Sequence, residues 1–554
     1  MKGEHGMTQV DSTATGRGAQ DQRRAEEQEA SQREDRLPFA GRAGRLLAFA
    51  AGAFAVAFYL RLRYPGVPDP DSFYHLGHAM LYAERGPGTK AFPWIFYSAI
   101  NQFSGDVGYG FHFLLIPFTL ARDPILGIKL AAVFETAAVL ITVGLVMRRH
   151  RVAYSFAWPF LLIFAAPPLV YTFLMTRPQT LTMGLLAVLI SFLVVGSAWG
   201  VFLASLAIGF VHLNVFPIVF LVVVVVGLTK LVVARRWEWP KWVAASAGVA
   251  AGWLLRPNPL GVLKIERLQI VVHETARRAH LPLSFGREWE PVTAAALAAF
   301  AYFLVLWGIV SVAFLVAAVR RRSAATPEAR TLLWSTLFLS IIFFGVTMLA
   351  TKRATPLWVS CVVLFAAKAF TSLLHPAQKG KAAFSEEVRI VAAFATAGLA
   401  ALMVWDGLSS PLTQRAAESP YRMKATAEWL GQHGRAGEIV YNVHWDTFPE
   451  LFLWNRHSYY VSGLDPIFLY AYDEKMCWKA HHIATNDTGG HTWGTMKMGV
   501  GQPEDTYAFV SRDLHASHIV IDSRRTPALQ AYLQRDPRFE LAFRDGPFAI
   551  YSVR

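Results

Sequence analysis

Stretches of about 20 mostly apolar residues recur along this chain, the length an α-helix needs to cross the hydrocarbon core of a bilayer. About eleven candidates can be read, near 43–62, 125–147, 153–170, 179–197, 198–213, 215–233, 242–256, 292–319, 331–350, 355–374 and 387–406. In lipid every backbone N–H and C=O must find its partner within the protein, so such segments have few choices other than helices. The composition agrees, with 54% hydrophobic and 17% charged residues, well outside the range of a soluble enzyme. A formal net charge of +14 could suggest a nucleic-acid partner. The cations, however, fall in short runs between apolar stretches, where membrane topology places them, and nucleic-acid binding is excluded. The expectation is an α-helical polytopic membrane protein.

Threading the spans from a cytoplasmic N-terminus puts four basic groups on the cytoplasmic side. They are Arg148-Arg149-His150-Arg151, Arg235-Arg236 with Lys241, Arg320-Arg321-Arg322, and Lys379 with Lys381. This obeys the positive-inside rule. The apolar stretch Gly110 to Ala121 is too short to cross and is expected to lie along or dip into the outer leaflet. Residues 1–38, polar and poor in large apolar side chains, read as a disordered cytoplasmic segment. Residues 39–407 form the membrane domain, with external loops 63–124 and 257–291. Residues 408–554 alternate helix-like and strand-like stretches and read as an extracytoplasmic α/β domain. The chain would therefore sit in an inner or plasma membrane with its polar candidates on the outer face.

The first external loop carries Asp69-Pro70-Asp71, followed by Ser72-Phe73-Tyr74-His75-Leu76. Ionisable groups beside an apolar bundle mark ion, proton or substrate sites. Proline disfavours helical geometry at Asp69, so the two carboxylates can splay toward a common point at the start of a helix. Hard oxygen ligands there suit Mg²⁺ or Mn²⁺, and one carboxylate could serve as a general base. The plainer reading is that Asp71 caps the helix and Asp69 is solvated. Other external groups are Thr176-Arg177-Pro178, Lys352-Arg353, and the loop that includes Glu288 and Glu290. His212-Leu213-Asn214 lies at the outer end of a helix pair and could line a cavity, but a satisfied structural histidine is the favoured reading. His481, His482 and His491 sit in a loop-like region without matching Cys or acidic spacing, a weak zinc signature. No Walker lysine loop, Gly-x-Ser-x-Gly elbow or His-Glu-x-x-His helix is present.

An acidic motif in the first external loop, followed by Phe73-Tyr74-His75-Leu76 and an amphipathic helix, resembles the GT-C membrane glycosyltransferases, most of all the oligosaccharyltransferase catalytic subunits. Gly86-Pro87-Gly88, Phe92-Pro93-Trp94, Phe111 to Pro117, Asp123-Pro124, Thr176 to Gln179 and Lys352-Arg353 follow in compatible order. The resemblance implies transfer of a sugar or oligosaccharide from a polyprenyl phosphate or pyrophosphate donor to a glycan, lipid or protein acceptor at the outer face, with inversion. On this reading Asp69 and Asp71 are catalytic and hold a divalent cation, while Arg353, Lys352 and Arg177 meet the donor phosphate. Trp445 and Asp446, with Glu288 and Glu290, would bind the acceptor. The segment Tyr441 to Asp446 is similar to the Trp-Trp-Asp-Tyr-Gly motif of oligosaccharyltransferases but departs from it at His444 and at Thr447-Phe448, which favours a glycan or lipid acceptor. The rival from another class is a non-enzymatic transporter or scaffold for envelope lipids.

Overall fold

The structure of the protein is a computed structural model that describes residues 39–319, 326–374, 384–410, 414–487 and 489–554. The segment 1–38, read as disordered, and the basic groups Arg320-Arg321-Arg322, Lys379 and Lys381 lie outside the described residues. Ala55 closes a first compact unit, described only from Phe39 along an apolar helix; the second unit is Val56–Arg554 and holds both the bundle and the sheet.

Among the described residues, eight helices are long and apolar enough to cross a membrane: Ala43–Leu62, Pro124–Arg149, Pro178–Val195, Leu213–Ala234, Ala294–Val319, Pro327–Leu349, Lys352–Leu374 and Glu386–Ser409. They correspond to eight of the stretches read from sequence, and the protein is an integral membrane protein. Three others differ. The stretch 153–170 is broken into a 3-10 turn, Trp158–Phe160, and two short helices, Leu161–Phe164 and Pro167–Leu174. Pro167 and Pro168 cannot donate backbone hydrogen bonds, and Ala166 before them is extended at φ −165°. The stretches near 198–213 and 242–256 become Ala198–Val211 and Trp239–Leu254, of 14 and 16 residues. These two helices pack backbone to backbone through glycine: a Cβ on Gly248 would lie 2.4 Å from the Phe202 carbonyl oxygen, and one on Gly252 2.6 Å from that of Leu206. Gly110 to Ala121 forms no span but a short helix, Tyr109–Leu115, and a 3-10 turn, Ile116–Leu120, as its length requires.

The tail builds a five-stranded sheet from β1 (Ile439–Asn442), β2 (Tyr459–Tyr460), β3 (Ala516–Asp522), β4 (Phe539–Asp545) and β5 (Phe548–Val553), in spatial order β2-β1-β3-β5-β4. Strand β1 pairs in parallel with β2 and β3; β5 pairs antiparallel with β3 and β4, the latter across the turn at Gly546. The apolar face of the sheet is covered partly by residues of the segment 63–124. Ile95 bridges Tyr460 in parallel, the Trp94 indole N–H donates to the Arg456 carbonyl at 2.9 Å, and the Tyr97 hydroxyl donates to the Leu514 carbonyl at 3.0 Å. Trp94, Ile95, Phe92 and Leu81 are buried in one cluster with Tyr441, Phe452, Tyr460 and Ile519. Loop and tail thus share a core, which fixes the tail against the helix Asp71–Arg85.

Candidate active site

Pro70 does what its chemistry predicts: Asp69 stays outside the helix, and Asp71 opens the Asp71–Arg85 helix. The two carboxylates converge on one cation, the guanidinium of Arg177. Asp69 is gripped in fork geometry, accepting from Nε and Nη2 at 2.6 Å each, and Asp71 Oδ2 lies 2.7 Å from the same Nη2. Arg177 is itself tightly placed. Pro178 follows it, its backbone is extended at φ −144°, and its N–H donates to Glu135 on the Pro124–Arg149 helix. The preceding N–H, of Thr176, donates to the Ser72 hydroxyl at 3.1 Å, and the Thr176 hydroxyl donates to the Ile128 carbonyl.

A second arginine faces the same space. Thr351 accepts from the Arg353 N–H and donates its own hydroxyl to the Glu288 carbonyl at 2.8 Å, tying the 352–354 turn to the long segment 257–291. Arg353 Nη2 then donates to Glu288 Oε1 at 3.0 Å, and its guanidinium lies 3.7 Å from the centre of the Trp289 ring. Glu288 Oε1 is also 4.0 Å from Arg177 Nη1. The result is one chain of charge running from Asp69 and Asp71 through Arg177 and Glu288 to Arg353. Beside it lies a cavity of about 540 Å³, whose wall includes Asp71, Arg177 and Arg353. Pro217, Ile218 and Leu221 of one membrane-length helix and Phe343 and Val346 of another complete an apolar side.

The acids differ in their protonation. Burial pushes Asp71 up to about 6, against the pull of Arg177. Burial likewise lifts Asp465, across the cavity, to about 7, opposed by the Ile467 N–H. Burial would raise Glu288 too, but Arg177 and Arg353 outweigh it and hold this carboxyl below its usual range. Asp71 and Asp465 are thus the two wall acids raised toward neutral pH, and of the two it is Asp71 that contacts Arg177.

Of the residues expected from sequence, Asp69, Asp71, Arg177, Glu288 and Arg353 meet in this cluster; His212 and Asn214 line the cavity, and the His212 ring also has a partner within the fold, its Nδ1 meeting the Thr182 hydroxyl at 3.0 Å. Arg177 sits otherwise than expected: its charge is engaged by two carboxylates. Lys352 and Glu290 pair with each other at 3.2 Å and are not part of the cavity wall. Trp445 and Asp446 do not reach it either; Asp446 binds Arg525 at 2.8 Å within the tail. The expected Mg²⁺ or Mn²⁺ at Asp69 and Asp71 meets an obstacle. Three of the four carboxylate oxygens contact a guanidinium that already supplies positive charge, so this donor set does not fit a divalent cation. Trp289, His273, Asp465, His75, Asp106 and His112 also line the cavity, and the sequence reading missed their role. Only the spacing of His75 from Asp71, one helical turn, could have flagged any of them.

No protein-family model matches this sequence, and no curated protein matches it. Solved structures do. An oligosaccharyltransferase from Archaeoglobus fulgidus, solved tethered to an acceptor peptide containing an NVT sequon, superimposes with a TM-score of 0.54 at 12% identity, over 92% of this chain and 74% of that one. ArnT from Cupriavidus metallidurans in the apo state gives 0.51 at 12% identity, over 92% of this chain and 98% of that one. ArnT bound to undecaprenyl phosphate gives 0.49. The chain therefore has the fold of the GT-C membrane glycosyltransferases.

Proposed function

We propose that this protein transfers a sugar or oligosaccharide from a polyprenyl phosphate or pyrophosphate donor to a glycan or lipid acceptor at the outer face of the membrane, with inversion. The observation that carries the reading is the shared cavity: Asp71 and two arginines border a space whose opposite wall comes from membrane-length apolar helices. Such a space suits a ligand with an anionic head and a long hydrocarbon tail. Arg353 has a planar, permanently charged fork that matches phosphate oxygens, and it faces the cavity.

In this mechanism the acceptor hydroxyl attacks the anomeric carbon from the face opposite the phosphate. Its proton passes to an Asp71 carboxylate oxygen, and the C–O bond to the leaving phosphate breaks with its electron pair on oxygen. Arg353 receives the developing phosphate charge. Arg177, held by Asp69, keeps Asp71 ionised and oriented while Glu288 holds the two guanidinium groups in register. Positive charge between the two acids comes from Arg177. Protein N-glycosylation is the less favoured acceptor chemistry, because Asp446, the residue most similar to a sequon reader, pairs with Arg525 away from the cavity.

The test is to incubate the purified protein with a panel of polyprenyl-linked sugars and to follow loss of sugar from the lipid. The proposal expects release or transfer that Asp71→Asn abolishes, without requiring added Mg²⁺. No sugar loss across the panel, with lipid movement affected instead by Asp69→Asn and Asp71→Asn, would favour the transporter or scaffold reading.

A further inference from the structure

Next to the acidic pair, the same helix presents His78 toward a second group of ligands. Asp106 and His112, from the end of the first external loop, bring their polar atoms to it, and one ligand atom from each residue lies within 4.8 Å of the others. The His112 Nδ1 is 2.7 Å from Asp106 Oδ2, and His78 Nε2 is 3.7 Å from that oxygen, beyond hydrogen-bond reach. His78 and His112 are almost fully buried, with rings stacked at 4.3 Å. Each has its remaining nitrogen satisfied from behind. His78 Nδ1 meets the Tyr74 hydroxyl at 3.1 Å, and His112 Nε2 meets His75 Nδ1 at 2.8 Å. Asp106 is braced as well, accepting from the Tyr82 hydroxyl at 2.7 Å and from the Gly108 N–H at 2.9 Å.

We propose that His78, Asp106 and His112 form a binding site for a divalent transition metal ion, Zn²⁺ foremost, beside the cavity, with Asp106 and His112 in its wall and His78 behind them. Two imidazoles and one carboxylate are a borderline ligand set that selects zinc-like ions over Mg²⁺. With His78 Nδ1–H donating to the Tyr74 hydroxyl and His112 Nε2–H donating to His75 Nδ1, each imidazole turns a lone pair toward the common centre, the arrangement that orients metal-binding histidines. Zinc bonds of about 2.0–2.1 Å place tetrahedral ligand atoms about 3.3 Å apart, so the close His112–Asp106 pair opens by about half an ångström and the His78–Asp106 pair closes by a similar amount. Three protein ligands leave a fourth position, and Gly105, Asp106, Gly108 and His112 line the cavity there. An ion so placed offers that position to an oxygen of a bound ligand. Among the described residues this is the one group with metal-ligand geometry; the tail histidines are not part of it.

The inference stands apart from the transferase reading, because metal binding is measured without turnover. The full-length protein is stripped with chelator, reloaded with Zn²⁺ or Co²⁺, and assayed for bound metal and for the visible absorption of tetrahedral Co²⁺. The expected result is about one ion per chain with a tetrahedral Co²⁺ spectrum. His78→Gln and Asp106→Asn should lose at least nine-tenths of the bound ion. Tyr74→Phe, a milder change at a supporting contact, should weaken binding by about 10- to 100-fold while the protein stays folded by thermal melt. Asp71→Asn should retain the ion, which separates this site from the acidic pair. A wild-type protein that takes up no ion, unchanged binding in Asp106→Asn, or loss of the ion in His482→Gln would overturn the proposal.

Discussion

At the scale of single residues, the site is decided by what Arg177 does with its charge. It binds Asp69 in a fork and reaches Asp71 with the same nitrogen. Asp69 is almost fully buried. Removing one partner of a buried pair leaves the other uncompensated, which typically costs about 3–5 kcal/mol, so Arg177→Met should lower unfolding stability by about that much in a denaturation series. Adding Asp69→Asn to Arg177→Met should recover much of the loss, because the orphaned charge is then gone. Asp71 makes a separate, pH-dependent prediction. Its carboxyl, raised from 3.8 to about 6, must be ionised to accept a proton. The transfer rate at limiting substrate should therefore rise roughly tenfold per pH unit below about 6 and level off above it. A rate that stays flat from pH 5 to 8 would assign the proton to another group. The convergence of the two acids could be read from Asp-Pro-Asp because proline acts locally. Their partner could not, since Arg177 is 108 positions away and nothing local distinguishes it from an arginine anchoring a helix to headgroups.

At the scale of elements, sequence reading succeeded where length decides and failed where packing does. Segments such as Pro124–Arg149 and Pro327–Leu349 are long and predominantly apolar, and their helices appear as expected. Ala198–Val211 and Trp239–Leu254 are apolar too, but glycines bring their backbones together and the helices stop short of a full span. A methyl group on Gly252 would strike the Leu206 carbonyl, part of a backbone that cannot rotate away. Gly252→Ala should destabilise the folded protein by about 1–3 kcal/mol, read as a lower melting temperature in detergent. The tail strands were legible as strands, from runs such as Ile439-Val440-Tyr441 and Ile519-Val520-Ile521, whereas their order was not. Parallel pairing of β1 with both β2 and β3 depends on crossovers that no strand pattern encodes.

At the scale of the whole molecule, the tail is bound to the membrane part by a shared interior. Its core includes Leu81, Phe92, Trp94 and Ile95 from the segment 63–124, and Ile95 extends pairing at the sheet edge. A fragment comprising residues 418–554 should therefore fail to fold alone and show poor dispersion in its NMR spectrum, because large apolar surfaces on β1 and β2 would lose their cover. The same linkage holds the Asp71–Arg85 helix, and with it the acid, against the tail: Tyr74 and Phe92 both lie in ring contact with Phe452. The central claim is that Asp71 and Arg353 serve different steps of one reaction in one cavity. Its most direct test is to measure donor binding and single-turnover sugar transfer side by side in the wild type, Asp71→Asn and Arg353→Met. Asp71→Asn should still bind the lipid-linked donor but transfer at least about a hundredfold more slowly, while Arg353→Met should lose both donor affinity and rate. Wild-type transfer and binding in both variants would contradict it.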